Sequence, residues 1–123
     1  MKVKSYRELL VWQKAMLITK DTYSLVRSLP KEETFALSDQ MRRSAVSIAS
    51  NIAEGQERNS TTEFVRFLHI AQGSRAELET QILIGNMIGY FDNNSIDPIL
   101  DNLSELGKML NSLIKNISEK NNK

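Results

Sequence analysis

Between residues 6 and 117 the chain repeats apolar residues at intervals of three and four. Only three short stretches interrupt the pattern: Pro30 with residues 31–34, residues 55–59, and residues 92–95. A 3.6-residue period held over segments this long is the signature of amphipathic helices, and no run alternates as a strand does. Five glycines and two prolines in 123 residues leave little to break such helices. The chain is therefore constrained to an all-α fold of a few long rods.

Four rods can be read. The first spans residues 6–28. Ser5-Tyr6-Arg7-Glu8 is a capping box at its start, Leu9, Trp12, Met16, Tyr23 and Val26 form its stripe, and Pro30 ends it. The second runs from Leu37 to Glu54 or slightly beyond on Leu37, Met41, Ile48 and Ile52, with Gly55 as its expected left-handed stop. The third covers residues 61–88 behind a second capping box, Ser60-Thr61-Thr62-Glu63. Its main face is Phe64, Phe67, Leu68, Ala71, Leu78 and Ile82, but Val65, Ile70, Leu83, Ile84 and Met87 lie off that face. The fourth is expected from Pro98, capped by Asp97, to Ile117, and carries a near-heptad stripe of Leu103, Leu110, Ile114 and Ile117. Residues 118–123 are polar and expected to fray.

Short connections between long helices make neighbours antiparallel. The expected fold is one domain over residues 1–123, an antiparallel up-down-up-down four-helix bundle. Several helices carry more apolar surface than one seam needs, which predicts a homo-oligomer. The competing expectation is that lysine and arginine stems cover the excess.

Chemistry is narrowed by what is missing. Without cysteine there is no disulfide, thiolate metal site or thiol nucleophile, as suits a reducing cytoplasm. Charges scattered over the first twenty residues do not make a signal peptide, and no apolar run spans a bilayer, so no membrane partner is expected. No glycine-rich phosphate loop is present; Gly85-x-x-x-Gly89 reads as a site of close packing or a bend. A net charge of +1 gives no global case for nucleic acid.

The most informative stretch is Arg42-Arg43-Ser44-Ala45-Val46-Ser47-Ile48-Ala49-Ser50-Asn51-Ile52-Ala53-Glu54-Gly55. Ser44, Ser47, Asn51 and Glu54 share a face beside the apolar stripe. Such residues are poor helix formers, but they suit a seam where two helices approach and exchange hydrogen bonds. Helix three offers a matching stripe of Gly73, Ser74, Glu77 and Gln81. Folding the hairpin places Ser44 and Ser47 opposite Ala71 and Ser74, with Gly73, Ala45 and Ala49 permitting close approach. Glu54 then lies near the start of helix three, where it can accept from Thr61, Thr62 or free amides. The favoured reading of Ser44, Ser47, Asn51, Glu54, Ser74 and Glu77 is a buried polar network that fixes register. The sharper one is a pocket using Glu54 and Glu77 for acid–base work, but no nucleophile or metal site accompanies them, so no enzyme, cofactor or small-molecule substrate is expected.

His69 has Arg66, not glutamate, three residues before it, and no second histidine exists, so it reads as a surface or interface residue. Trp12, Tyr23, Phe64 and Phe67 sit at core spacing. Lys2, Lys4, Arg7 and Lys14 are basic early in the chain. Arg42, Arg43, Arg58, Arg66 and Arg75 are the candidates for nucleic-acid contact, against solvated faces or intersubunit ion pairs as the plainer reading. Repetition around a ring would multiply a weak phosphate-binding patch.

Three strings carry a family resemblance: Leu10-Val11-Trp12-Gln13-Lys14-Ala15; Gln40 to Ile48 running into Ser50-Asn51-Ile52-Ala53-Glu54-Gly55; and Glu63-Phe64-Val65-Arg66-Phe67-Leu68 with Ala71-Gln72-Gly73-Ser74 and Glu77-Leu78-Glu79-Thr80-Gln81. Together they resemble the four-helix-bundle family encoded in intervening sequences of bacterial 23S ribosomal RNA genes. The resemblance covers residues 6–117. It implies homopentameric rings and no catalytic role for Ser47, Asn51, Glu54, Gly55, Gly73, Ser74 or Glu77. A related branch, the accessory protein of diversity-generating retroelements, resembles a basic pentameric barrel that binds nucleic acid and a reverse transcriptase; the near-neutral charge here departs from that branch. The leading expectation is an oligomeric scaffold or adaptor that binds RNA or an RNA-associated protein. The alternative is a purely structural or protein-binding assembly with no nucleic-acid role.

Overall fold

The computed structural model describes residues 5–121. Lys2 and Lys4 lie outside the described residues, as do the last two residues of the polar tail. The described residues form four α-helices and no strand: α1 Leu10–Val26, α2 Leu37–Glu57, α3 Thr61–Ile88 and α4 Asn93–Asn121. Short 3₁₀ turns at Tyr6–Glu8 and Lys31–Glu33 precede α1 and α2. No helix is long and apolar enough to cross a membrane.

The helix ends show which local signals win. Both halves of the Ser5–Glu8 capping box form, but they close a single 3₁₀ turn. Leu9 is extended, so α1 starts at Leu10, and the Gln13 amide donates to the Arg7 carbonyl across the break. Tyr6 then meets Trp12 edge-on at 5.3 Å. At α3 the Ser60 hydroxyl accepts from the Glu63 amide at 3.2 Å.

Four expected boundaries are corrected, the first being that of α1, which begins at Leu10 and not at Tyr6. Helix α2 does not stop at Gly55 but continues to Glu57, and Gly55 is buried inside it. Helix α4 starts five residues before Pro98. The Asp92 carboxylate accepts from the Ser95 amide at 2.8 Å and caps the helix, so Asp97 is not the cap and Pro98 sits within the helix. A proline there removes one bond near the helix start, a smaller loss than in mid-helix. The tail does not fray at 118, because helix persists to Asn121. The left-handed stop belongs to Gly89, at φ 100°, which ends α3.

Each helix packs closely against two others, α1 on α2 and α4, α3 on α2 and α4, and among the described residues the backbones of the diagonal pairs stay apart. Gly55 lies against Phe64 and Phe67 while Ser47 lies against Ser74. Gly85 meets Phe91 while Gln72 reaches Gly107 and Asn111. Partners thus occur in opposite order along adjacent helices, the order that an up-down-up-down bundle produces. A continuous core fills the centre, with Ile18, Met41, Ile48, Ile52, Leu68, Leu78, Ile82, Leu103, Leu106 and Leu110 fully buried. Burying each such side chain contributes roughly 1.5–3 kcal/mol of transfer free energy, which is the main force holding the rods together.

Candidate functional site

The α2–α3 seam is built from small residues. Ala49, Ala71, Ser44 and Ser74 are all buried. The Ser47 and Ser74 hydroxyls meet at 2.8 Å, and the Asn51 amide donates to both the Ser47 carbonyl (2.8 Å) and the Ser47 hydroxyl (3.0 Å). A hydroxyl pair crossing from one helix to another fixes their relative sliding, because a shift of one turn leaves half-buried donors unpaired. At the hairpin end, a Cβ on Gly55 would stand 2.6 Å from the Phe67 Cβ. Gly55 therefore allows the two backbones to close.

Of the six residues expected in the network, the structure joins Ser47, Asn51 and Ser74. Ser44 is buried on the same side of α2. Glu54 and Glu77 are exposed, and Glu54 pairs with Arg58 at 2.8 Å, so neither carboxylate belongs to a buried network. Gly73 is also exposed, with nothing near its missing side chain, so it plays no part in close approach.

The five candidate arginines divide into two kinds. Arg58 is held by Glu54 at 2.8 Å, and Arg66 by Glu63 through two bonds at 2.9 and 3.2 Å. Both also stack on the ring of Phe67, at 5.1 and 4.5 Å from its centre. The Arg66 bonds hold the Glu63 carboxyl below its ordinary value and Arg66 above its own. Arg75 lies across Gly107, bonded to the Gln72 side chain at 2.7 Å and to Glu79 at 3.0 Å. Arg42 and Arg43 have only long contacts, to the Thr34 carbonyl at 3.4 Å and to Asp39 at 3.9 Å.

Arg42 and Arg43 line a shallow groove between α1 and α2 with Tyr23, Asp39, Val46 and Ser47. Tyr23 corrects an expectation: it is not core but 42% exposed, while Phe67 is buried and Trp12 and Phe64 are half-buried. Its helical spacing matched the stripe, yet its flanks are polar. Lys20 stands three residues before it and Arg27 four after, and that pattern could have marked an outward face. A second, apolar groove runs between α1 and α4, lined by Leu9, Leu10, Val11, Met109 and Leu113. His69 is exposed. Among the described residues no cluster of three acidic, histidine or cysteine side chains could hold a metal.

The description of the 23S rRNA-intervening sequence protein family matches residues 7–112. The chain belongs to that family. No curated protein matches it. Among solved structures, a crystallised protein of unknown function from the S23 ribosomal protein family of Bacteroides thetaiotaomicron VPI-5482 superposes with a TM-score of 0.77 at 26% identity. The match covers 86% of this chain and 99% of the other. For the 23S rRNA-intervening sequence family, then, α1, α2, α3, the first two thirds of α4 and the Ser47–Asn51–Ser74 seam lie inside the matched span.

Proposed function

We propose that this chain is a non-enzymatic scaffold whose copies associate and whose assembly holds RNA. The observation that carries the reading is the outer side of α3 near its end. Leu83, Ile84, Met87 and Ile88 are all exposed there, Met87 to 78%. Four large apolar side chains side by side on one helix face make an apolar patch of the kind that marks an interaction surface. Five copies in a ring is the stoichiometry that the family resemblance implies. Glu54 and Glu77, the carboxylates that an acid–base mechanism would need, stand on the open surface, which supports a role without catalysis.

The test is sedimentation of the purified chain over a wide dilution range. A particle of several times 14.0 kDa is expected. Met87→Glu with Leu83→Glu should reduce it to a monomer that keeps its helical circular dichroism. A parent chain that is monomeric at high concentration overturns the reading. The RNA part is tested separately below.

A further inference from the structure

We propose that the groove between α1 and α2 is a binding site for single-stranded RNA, with phosphates on Arg42 and Arg43 and a base stacked on Tyr23. This rests on the reading that the assembly holds RNA, and it specifies where and in what form.

An arginine held by a carboxylate at 2.8–3.0 Å, as Arg58, Arg66 and Arg75 are, has its charge partly neutralised and one or more of its five donors engaged. Transfer to a phosphate would leave a carboxylate behind. Arg42 faces no such exchange, and Arg43 only a weaker one, its ion pair with Asp39 being 3.9 Å long. Arg42 is tethered only by a 3.4 Å bond to a backbone carbonyl, and Arg43 is 80% exposed, with Asp39 no closer than 3.9 Å. They are the two members of the set whose forks are open to a phosphate.

The groove supplies the second half of the recognition. Tyr23 and Val46 are both more than 40% exposed and line it together with the two arginines. An aromatic ring beside an apolar side chain, flanked by guanidinium groups, gives a base a stacking platform while its phosphates meet positive charge. Ser47 is part of the lining, its hydroxyl engaged by Ser74 and Asn51, so the groove adjoins the hydrogen-bonded α2–α3 seam. Lys20 and Arg27 extend the positive edge along α1, one turn to either side of Tyr23, and Asp39 is the acid among the lining residues. Bases must be unpaired to stack here, which selects a single strand over a duplex.

The experiment is fluorescence anisotropy of a labelled single-stranded 20-mer RNA with the full chain, against the same sequence as a duplex, from about 50 to 200 mM salt. Single strands should bind more tightly than duplex. Arg42→Gln with Arg43→Gln should weaken binding at least tenfold and lower the salt slope by about 1–2, since two phosphate contacts are lost. Tyr23→Ala should weaken it about tenfold with the slope unchanged, and Tyr23→Phe should restore it. Arg58→Gln with Arg66→Gln should leave affinity within about twofold, because those groups are already paired. All these side chains are surface groups, and circular dichroism checks each fold. If the parent binds but is indifferent to Tyr23 and to the Arg42–Arg43 pair, the groove is refuted and the RNA reading survives. If duplex binds as well as single strand and Tyr23→Ala is silent, stacking is refuted. If the parent binds no RNA at 50 mM salt, the groove and the RNA reading fall together, whatever the sedimentation shows.

Discussion

The seam between α2 and α3 and the one between α1 and α4 are made by the same kind of helix, yet they close differently. Along α2 and α3 the contacting residues are serine, alanine and glycine, and the backbones come near enough for two hydroxyls to bond. Along α1 and α4 the facing residues are Leu10, Val11, Met109 and Leu113, and an apolar groove remains between the rods, bridged by Lys14 to Glu105 at 3.2 Å. Interaxial distance follows the bulk of the side chains at the contact. The first seam gains specificity from hydrogen bonds that tolerate no sliding. The second gains area but leaves part of it open to water.

That contrast can be broken most forcefully at Gly55. Gly55→Val should destabilise the fold by about 3 kcal/mol, the upper end of overpacking, because the added carbons collide with Phe67. A urea midpoint equal to that of the parent would mean that the seam has slack. Asn51→Leu comes next, at about 1–2 kcal/mol, since two hydrogen bonds to Ser47 are lost from a half-buried position. No change in melting would show that the polar bonds do not set register. Gly73→Ala sharpens the comparison from the other side. It lies in α3 with open space around it, so it should stabilise by about 0.5–1 kcal/mol, opposite in sign to Gly55. The smallest effect is expected at the looser seam. Lys14→Met should move stability by no more than about 0.5 kcal/mol, because Glu105 is largely exposed and its ion pair is screened.

Much of this was legible in the sequence because helical periodicity and capping boxes are local. The extent of α3 and the Ser60 cap follow from residues within a turn or two of each other, and the Ser47–Ser74 apposition from matching small-residue stripes on either side of one hairpin. What escaped was settled by competition between distant groups. Gly55 can stop a helix or admit a neighbour, and only the position of Phe67 decides between them. Asp92 and Asp97 are both good caps; the earlier one prevails once Gly85 admits the Phe91 ring and sets the turn. Glu54 and Glu77 share a spacing with buried serines, but their longer side chains reach water. Tyr23 fits the apolar stripe by register and misses it by a small rotation at its edge, which periodicity does not resolve.

One contact joins the two chain reversals at the far end of the bundle: the Tyr90 hydroxyl donates to Glu33 at 2.8 Å. That bond, with burial and the nearby Glu33 and Glu32 charges, raises the Tyr90 phenol above its ordinary value. Its proton therefore works as a clasp whose hold is complete below about pH 10 and is lost as the medium climbs through the raised value. Beyond that point two anions would face each other across the clasp, and alkaline unfolding should begin there. A titration of melting temperature from pH 9 to 12 should fall more steeply for the parent than for Tyr90→Phe, which has no proton to give up.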